Sequence, residues 1–464
     1  MVAPVWLQFV DLLVAICFIL GLKGLSGPKT ARNGNLIGAF GAVVAVVVLF
    51  IAHPGMNNLP LIIGAIVIGL LIGVPAARGV KMTAMPQMVA LFNGVGGGAA
   101  ALISIIEFFE MGVGEPGAEI NYGALAATVF TVVIGSIAFT GSILTFLKLQ
   151  ELITTRPIVL PAGPFVTGLV AVATLVAAVW LLVAPSTLVL IVLLVLSLLA
   201  GIMLVLPVGG ADVPIVISLL NAFTGLSVAA SGYVLGNVLL IIAGTLVGAA
   251  GTLLTREMAH AMGRSVSKTM FGAFTATAAA AAGTGEERPV KTSTAQDVAI
   301  MLEYASKVLI VPGYGLAVAQ AQQTIRELAD LLSEKGIDVA YAIHPVAGRM
   351  PGHMNVLLAE ANVPYEQLRE LDDVNPEFAS TDVVIVVGAN DVVNPAAKSD
   401  PNAPIFGMPI LDVSAAKQVV FLKRSMRPGF AGIENELLYQ DGTTLLFGDA
   451  KASLTDVVSA VKEL

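Results

Sequence analysis

The fold of the last third of the chain is decided by one stretch, Val308-Leu309-Ile310-Val311-Pro312-Gly313-Tyr314-Gly315-Leu316-Ala317-Val318-Ala319-Gln320. Four apolar residues end in a Gly-x-Gly turn, and a segment with helical periodicity, residues 321–332, follows at once. Glycines let a backbone approach phosphate groups closely, and a helix N-terminus offers unpaired N–H groups and the positive end of its dipole. The stretch therefore predicts a strand, a glycine turn and a helix that bind a dinucleotide pyrophosphate.

Further apolar runs after residue 295 have the length of strands, and most of them alternate with helical segments. The six predicted strands are 308–311, 338–343, 382–387, 409–413, 418–422 and 443–447, after a helix at about 295–304. This alternation is typical of an α/β fold, here a Rossmann-like, doubly wound parallel sheet. Loops with glycine and polar residues follow several of the strands, at the edge where such sheets bind their ligands.

The first part of the chain has the composition of a membrane protein. The whole chain is 56% hydrophobic and only 12% charged, whereas soluble globular proteins carry about 25% charged residues. Nine apolar segments are long enough, at about 20 residues each, to cross a bilayer. They are 4–22, 35–53, 58–77, 84–106, 121–147, 164–183, 186–207, 212–232 and 237–255. We therefore predict a multi-pass α-helical membrane domain with nine transmembrane helices.

Charge and cysteine content exclude several classes of partner and site. The net charge of −8 argues against a nucleic-acid partner, since nucleic-acid binding requires basic patches. The single cysteine, Cys17, excludes a disulfide framework and a cysteine zinc site, and no metal site is predicted. The N-terminus lacks the basic region and cleavage site of a signal peptide, so we interpret it as a retained helix.

Lys and Arg residues indicate how the helices are oriented in the bilayer. The first, third and fifth loops and the segment after the ninth helix contain them, whereas the even-numbered loops have almost none. Positively charged loops remain on the cytoplasmic side. We therefore expect the N-terminus outside the membrane and the C-terminal part in the cytoplasm.

Polar residues inside the apolar segments are costly there unless they are paired or hydrated, so they are candidate functional residues. Asp212 and Asn221 fall on one side of the eighth segment, about two and a half turns apart. Asp212 could equally be a helix N-cap, and Asn221 could simply join helices. Asp11 could pair within the bundle or lie near the outer interface of the membrane. The candidates are Asp11, Asn93, Thr131, Ser136, Asp212, Ser218, Asn221, Thr224 and Ser231.

Residues 263–294 are predicted to be a linker, because they contain an alanine-rich run followed by Gly-Thr-Gly-Glu-Glu. The predicted domains are therefore residues 1–262 in the membrane and residues 295–464 as a nucleotide-binding domain.

The strand ends favour NADP over NAD. Sites for NAD usually have an acidic residue at the end of the second strand, where it binds the ribose 2′-hydroxyl. Here that strand is followed by His344-Pro345, while Lys423-Arg424-Ser425 follow another strand. Two cations and a hydroxyl group suit a 2′-phosphate. The alternatives are that Lys423 and Arg424 are a solvated strand end and that His344 is a turn residue without a ligand.

Several motifs together resemble the beta subunit of proton-translocating NAD(P) transhydrogenase, and the resemblance covers essentially the whole chain. They are Gly313-Tyr-Gly-Leu-Ala-Val-Ala-Gln320, His344-Pro-Val-Ala-Gly-Arg-Met-Pro-Gly-His353, Gly388-Ala-Asn-Asp391, Lys423-Arg-Ser-Met426, Gly448-Asp-Ala-Lys-Ala-Ser453 and Gly209-Gly-Ala-Asp-Val-Pro214. The resemblance implies direct hydride transfer between NADP(H), bound here in an inverted orientation, and NAD(H), bound on a separate alpha subunit. It also implies that this transfer is specific for opposite faces of the two nicotinamides, requires the alpha subunit, and is coupled to proton passage through the membrane domain.

The resemblance further implies a bacterial cytoplasmic (inner) membrane location, a beta–beta dimer within the complex, and the residues of the sites. Asp391 would link the nucleotide state to protonation, and Asn93, Asp212 and Asn221 would belong to the proton pathway. The implied cofactor contacts are Gly313, Tyr314, Gly315, Ala317, Val318, His344, Val346, Ala347, Gly348, Arg349, Met350, Pro351, Gly388, Ala389, Asn390, Asp391, Val392, Gly407, Met408, Lys423, Arg424, Ser425, Met426, Arg427, Pro428, Gly429, Phe430, Gly448, Asp449 and Ala450.

The chain departs from some members of that family at two positions. Asn93 stands where some relatives have a histidine, so a polar, water-ordering role is expected for it. Phe430 stands where some have a tyrosine, so its ring can cover the cofactor but lacks the hydroxyl group. Composition alone also allows a transporter or channel that is gated by an NADP-sensing domain and catalyses no reaction.

Overall fold

The computed structural model describes residues 5–52, 55–113, 120–154, 157–158, 160–209, 212–262, 265–267, 288–348, 352–401, 403, 405–429 and 431–464. The chain forms two compact units. The first comprises Met1–Val80, Gln87–Pro207 and Val216–Thr255, and the second comprises Lys81–Pro86, Val208–Ile215 and Arg256–Leu464.

Nine helices among the described residues are long and apolar enough to cross a membrane, as the sequence predicts. Three of them begin at a side-chain cap: the Asn121 side chain accepts from two backbone N–H groups, and the side chains of Ser186 and Asn237 accept from one each. The helices are α1 Val5–Leu25, α2 Pro28–Ala52, α3 Leu59–Gly79, α4 Met85–Glu110, α5 Tyr122–Leu149, α6 Gly163–Val183, α7 Thr187–Val205, α8 Val213–Val234 and α9 Val238–Ala261.

Small residues allow the membrane helices to approach each other closely. A Cβ at Gly135 in α5 would lie 2.7 Å from the Gly97 carbonyl oxygen in α4. In the same way, a Cβ at Gly225 in α8 would lie 2.9 Å from the carbonyl oxygen of Gly244 in α9. Lipid provides no hydrophobic force between helices, so contact at this range is what holds such pairs together. These glycines are therefore required by helix packing.

The second unit contains a six-stranded sheet in which all the paired strands are parallel, in the order β3-β2-β1-β4-β5-β6. Its strands are β1 Lys307–Pro312, β2 Asp338–Ile343, β3 Leu368–Glu370, β4 Val383–Val387, β5 Gln418–Lys423 and β6 Thr443–Phe447. The chain reverses its direction of travel across the sheet between β1 and β4, and ligands bind at such a switch point. The predicted Rossmann-like, doubly wound sheet is confirmed.

Alternate residues of each strand pack on opposite faces of the sheet, because side chains alternate along a strand. In β1, Val308 and Ile310 join a core under the longer helices, whereas Leu309 and Val311 join a core under short helices and loops. The helices of this unit are α10 Ala295–Glu303, α11 Tyr314–Val318, α12 Gln322–Glu334, α13 His353–Glu360, α14 Leu371–Val374, α15 Ala396–Ser399 and α16 Ala450–Glu463.

Asp382 fixes the amino-terminal edge of the central strands. Its carboxylate accepts hydrogen bonds from the N–H groups of Ser306 (2.8 Å) and Lys307 (3.1 Å) and from the Lys417 ammonium (2.7 Å). These bonds lower the pKa of Asp382 to about 2, and the bond from Lys417 has the largest effect. The carboxylate therefore joins the starts of β1, β4 and β5.

One predicted strand is wrong and another was missed. Residues 409–413 form no strand: Leu411 donates a single backbone bond to Val392, and a 3₁₀ turn begins at Val413. The third strand in chain order is instead β3, with only three residues. Its Arg369 and Glu370 are exposed at the sheet edge, so β3 lacks the apolar pattern that identifies buried strands.

The glycine turn does not lead directly into the long amphipathic helix, contrary to the prediction. The five-residue helix α11 intervenes, and Gln320 then adopts a left-handed conformation with φ of 52°. The long helix α12 begins only at Gln322. Its start is therefore separated from Gly313 by a short helix and a turn.

The last residues of the predicted linker pair with the sheet. The N–H of Leu445 in β6 donates to the Lys291 carbonyl (2.8 Å), and the Ser293 N–H donates to the Leu445 carbonyl (3.0 Å). Thr292 thereby forms a parallel bridge with β6. This backbone pairing was not apparent from composition, because it depends on the position of β6 rather than on local sequence.

Candidate functional site

The loops that follow β1 and β4 are in direct backbone contact at the carboxyl edge of the sheet. The Gly313 N–H donates to the Val387 carbonyl (2.8 Å), and the Gly315 N–H donates to the Gly388 carbonyl (3.0 Å). A Cβ at Gly313 would lie 2.5 Å from Ala389 Cα, and one at Gly315 would lie 2.6 Å from Gly388 Cα. The glycines of the motif therefore allow two loops to pack backbone against backbone.

This contact changes the role expected for the glycine turn. The amide groups of Gly313 and Gly315 are already bonded to Val387, the last residue of β4, and to Gly388 after it, and the Leu316 N–H donates to the Gly313 carbonyl. These N–H groups therefore do not offer the free donors that the sequence predicted for a pyrophosphate. Gly388, with φ of 69°, adopts a conformation that favours glycine, and it completes the contact from the other side.

A polar network joins the β4 loop to the segment that follows β5. The Lys423 ammonium donates to Asn390 Oδ1 (3.1 Å) and to the Arg427 carbonyl (3.2 Å). The Asn390 amide then donates to Asp391 Oδ1 (2.9 Å), and Asp391 Oδ2 accepts from the Ala431 N–H (2.8 Å). Four predicted site residues, Asn390, Asp391, Lys423 and Arg427, are thus brought together.

The segment after β5 passes close to this network. A Cβ at Gly429 would lie 2.5 Å from Asp391 Oδ1, so only glycine allows the chain to pass here without a shift. Partial burial lowers the pKa of Lys423, and the nearby Asp391 carboxylate opposes that shift. Arg424 and Arg427 are exposed beside it, while Ser425 and Met426 are half-buried.

Two buried amides that the sequence analysis missed support the network from beneath. Asn435, only 2% exposed, donates from Nδ2 to the Asn390 carbonyl (3.1 Å). Asn394, fully buried, donates to the Glu434 carbonyl (2.9 Å). Asn394 lies three residues beyond Asp391, so the closeness of a polar residue to a predicted site was the only signal that could have identified it.

His344 is buried at the end of β2 and forms hydrogen bonds through both ring nitrogens. Nε2 lies 2.8 Å from the Pro409 carbonyl oxygen, so it must carry the proton, and Nδ1 accepts from the Val346 N–H (3.3 Å). Burial lowers the pKa of His344 to about 4, although the bond to Pro409 opposes this shift. His344 is therefore a neutral residue that holds residues 409–411 against β2.

The remaining predicted contacts lie in loops with defined backbone roles. The Gly407 N–H donates to the Ala397 carbonyl (2.9 Å), and Met408 is buried beside it. Gly448 donates to the Lys423 carbonyl (3.0 Å), and Asp449 caps α16 by accepting from two N–H groups.

The other predicted contacts differ in how far they are buried. Ala347 and Ala317 are buried, Val346 is half-buried and Val318 is exposed, whereas Val392 packs against the core. Tyr314 faces His353, with ring centroids 5.8 Å apart.

Some predicted site residues lie outside the described residues, namely Arg349, Met350, Pro351 and Phe430. At their edges, Gly348 (φ 118°) and Gly352 (φ 66°) are both left-handed.

Within the first unit, Asn93 joins three membrane helices. Its Nδ2 donates to Ser142 Oγ in α5 (2.9 Å), and Thr224 Oγ1 in α8 donates to the Asn93 carbonyl (3.4 Å). Asn221 is half-buried in α8, where the preceding turn is fixed by a bond from Ser218 Oγ to the Gly251 carbonyl (3.1 Å).

In the second unit, Asp212 directly precedes the first residue of α8, at the position of a helix cap, and its N–H donates to the Gly209 carbonyl.

The residues of the second unit fit a dinucleotide that carries a 2′-phosphate. Loops from β1, β2, β4, β5 and β6 follow strands that end at the same edge of the parallel sheet. The residue after β2 is a buried neutral histidine rather than a carboxylate, and Arg424 presents an exposed guanidinium after β5. A guanidinium is suited to bidentate binding of a phosphate group.

Comparison with known proteins shows which family the chain matches. A family model described as NAD(P) transhydrogenase beta subunit matches residues 7–460. Two relatives from Rhodospirillum rubrum, one of them from a defined strain, are both named NAD(P) transhydrogenase subunit beta. Each is 46% identical over 455 residues, which cover 97% of this chain and 98% of the relative. The chain therefore belongs to the NAD(P) transhydrogenase beta subunit family.

Proposed function

We propose that this chain binds NADP(H) and, with an alpha subunit that binds NAD(H), forms a membrane transhydrogenase in which hydride transfer is coupled to proton translocation. Family membership supports nicotinamide nucleotide chemistry, an alpha subunit partner and a membrane location. That NADP(H) rather than NAD(H) binds here, and that transfer needs the partner and is specific for opposite nicotinamide faces, is our proposal.

The observation that carries the NADP(H) assignment is the pair of strand ends after β2 and β5. Neutral His344 follows β2, and the cationic residues Lys423 and Arg424 lie at the end of β5. A ribose 2′-hydroxyl would be bound by a carboxylate, and a 2′-phosphate by cations. Arg424 is the better phosphate ligand of the two, because Lys423 already bonds Asn390 and Arg427.

Within the site, the chain's residues position the cofactor and carry its charge. Lys423, Asn390 and Asp391 hold the segment after β5 against the β4 loop, and this contact keeps the loops in place for a bound nucleotide. NADP(H), when bound, accepts or donates the hydride. Asp391 is proposed as the group whose protonation follows the nucleotide state, since its carboxylate bonds both loops. The remaining predicted contacts are retained as proposed cofactor contacts.

For the membrane part, we propose that residues 1–262 form the proton channel, with Asn93, Asp212 and Asn221 on the pathway. Asn93 bonds two neighbouring helices, which fits a residue that orders water at a helix junction. The distribution of Lys and Arg supports an N-terminus outside the membrane and residues 295–464 in the cytoplasm, and we propose that the membrane is a bacterial inner membrane. A beta–beta dimer within the complex is part of the proposal.

The proposal is tested with the purified complete chain in lipid vesicles. We expect the chain alone to bind NADP(H) more tightly than NAD(H) and to transfer no hydride from NADH to an NADP⁺ analogue. Addition of the alpha subunit should start the transfer. Robust transfer by the chain alone, or NAD(H) binding as tight as NADP(H) binding, would contradict the proposal. A pH change inside the vesicles on addition of NADP(H), without any transfer, would favour a gated channel instead.

A further inference from the structure

Arg288 holds the segment that directly follows the loop after β5. Its guanidinium makes two parallel bonds to Glu436, of 2.8 Å each, and a third contact of 3.3 Å to Glu434. The same guanidinium lies 4.1 Å above the centre of the Tyr439 ring. We call these four residues, Arg288, Glu434, Glu436 and Tyr439, the arginine clamp.

The geometry of the clamp distinguishes it from an ordinary surface ion pair. Exposed pairs contribute little to stability unless the geometry is bidentate or several charges form a network, and the clamp has both features. The hydrogen bond to Arg288 lowers the pKa of Glu436. The chain after Arg288 is also fixed, because residues 291–293 pair with β6 and the Lys291 ammonium donates to the Asp441 carbonyl (2.8 Å).

The clamp is continuous with the polar network of the nucleotide site. Asn435 lies between the two clamped glutamates, and its buried side chain donates to the Asn390 carbonyl. The Glu434 carbonyl accepts from buried Asn394, in the turn after Asp391. A shift of residues 434–436 would therefore displace Asn390 and Asn394 directly, and Asn390 bonds both Lys423 and Asp391.

Arg288 is also placed where the chain arrives from the membrane domain. It lies near the end of the predicted linker, residues 263–294, so the chain passes through Arg288 between α9 and the first strand of the sheet.

From these contacts we propose that Arg288 is a positioning residue of the NADP(H) site, which acts through Glu434–Glu436 and Asn435 on the loop that contains Asn390 and Asp391. The inference rests on the proposed function and adds to it. Opening of the clamp loosens Asn435, and the loop after β4 then holds NADP(H) less tightly. The clamp touches no substrate, so its effect is on nucleotide affinity and release, and through them on coupling.

The test compares the complete chain, in vesicles with its alpha subunit, as wild type, Arg288→Glu, Glu436→Arg and the double variant. NADP(H) affinity and dissociation rate are measured together with thermal stability and hydride transfer. We expect each single variant to weaken NADP(H) binding by roughly 3- to 30-fold, the range for residues that act through others. The double variant restores the pair with reversed charges and should recover most of the affinity.

The matched control is Lys462→Glu, which breaks the Lys462–Glu327 ion pair of similar exposure. Lys462 lies roughly 18 Å along α16 from Ala450, at 1.5 Å per residue, so nucleotide affinity should not change. If Arg288→Glu does not fold, Arg288→Gln is measured in its place, since it removes the clamp without adding repulsion.

Unchanged NADP(H) affinity and release in the Arg288 variants, with or without lower thermal stability, would overturn the inference, because the clamp would then be purely structural. Failure of the double variant to recover any affinity would overturn the specific pairing. A wild-type complex that does not bind NADP(H) would overturn the proposed function itself, and this outcome is seen before any variant is compared.

Discussion

Asn390 makes more of the polar contacts described at the candidate nucleotide site than any other single residue. Its Oδ1 accepts from Lys423, its Nδ2 donates to Asp391, and its carbonyl accepts from Asn435. Both ends of the amide are used, and only one orientation presents oxygen to an ammonium and nitrogen to a carboxylate. Asn390 therefore joins three segments of the chain. Of the two basic residues at the end of β5, only Lys423 bonds Asn390, so substitutions of Lys423 and Arg424 should have different effects.

At this scale, Arg424→Ala should lower the affinity for NADP(H) by roughly 10- to 100-fold, since a hydrogen bond to a charged group contributes about 1.5–3 kcal/mol. Affinity for a nucleotide without the 2′-phosphate should change little. Lys423→Ala should weaken both nucleotides, because it removes the bonds to Asn390 and Arg427 that hold the loop. Equilibrium binding of both nucleotides to the complete chain measures this difference.

The control for these variants is Lys335→Ala, since Lys335 precedes β2 at the opposite edge of the sheet and pairs with Glu303. Its nucleotide affinities should equal those of the wild type. An equal loss of both nucleotides in Arg424→Ala would rule out the 2′-phosphate assignment.

His344 gives a prediction about pH. Its folded pKa of about 4 lies below the ordinary value of 6.5, so the unfolded chain binds the proton more readily. The contribution of His344 to the free energy of unfolding is therefore complete above pH 6.5. It is lost as the pH falls from 6.5 toward 4, by about 3 kcal/mol in all. Nitrogen-15 NMR of labelled histidine can follow the protonation of His344, because the chain has only four histidines.

His344→Asn identifies the His344 signal. We expect a neutral imidazole with the proton on Nε2 down to about pH 5, as the bond to Pro409 and the folded pKa require. A signal that titrates near 6.5 would contradict the buried, neutral state.

At the scale of elements, the sequence predicted those strands whose residues are continuously apolar and failed for those that depend on tertiary contacts. The strands β1, β2, β4, β5 and β6 are each buried on both faces, so a short apolar run identifies them. The edge strand β3 is paired only through Leu368, Arg369 and Glu370, which carry no such pattern. In residues 409–413, Ile410, Leu411 and Val413 are buried without pairing to a strand, and burial alone gives the same apolar signal.

The glycine turn shows the same limit at the candidate site. Its glycines were predicted to let the backbone approach a phosphate, whereas in the structure they let it approach the end of β4 and the loop that follows, with Gly313 donating to Val387 and Gly315 to Gly388. A local pattern cannot distinguish a phosphate from a neighbouring backbone as the reason for a glycine. Asn394, Asn435 and Arg288 were missed because their partners lie 40 or more residues away in the chain.

Gly388→Ala should therefore be much more destabilising than Gly336→Ala, although both positions have positive φ. A Cβ at Gly336 meets open space, so only the left-handed strain of about 1–2 kcal/mol remains. A Cβ at Gly388 would lie 2.5 Å from Gly315 Cα, and crowding of this kind adds about 1–3 kcal/mol.

Unfolding of the two variants in the complete chain measures the difference. Gly388→Ala should also weaken NADP(H) binding, whereas Gly336→Ala should not. Equal destabilisation would show that the contact between the β1 and β4 loops can relax without cost.

For the whole molecule, composition was sufficient to separate the membrane part from the sheet. The bilayer requires about 20 apolar residues in each helix, so each of α1 to α9 could be located, although α2 begins before its predicted span and α9 ends after its own. The end of the linker could not be located in this way, because the attachment of residues 288–293 depends on pairing with β6. The proposed division of labour, with proton passage in one part and nucleotide binding in the other, requires a test of the complete assembly.

The most direct test uses sealed vesicles that contain this chain with its alpha subunit, with hydride transfer from NADH to an NADP⁺ analogue and the internal pH followed in the same sample. We predict that both signals appear only when the two subunits are present and that an uncoupler abolishes the pH change. Asp212→Asn should abolish the pH change whether or not it also slows hydride transfer. Full hydride transfer with no pH change in the wild type, or an unaltered pH change in Asp212→Asn, would contradict the proposed coupling through this chain.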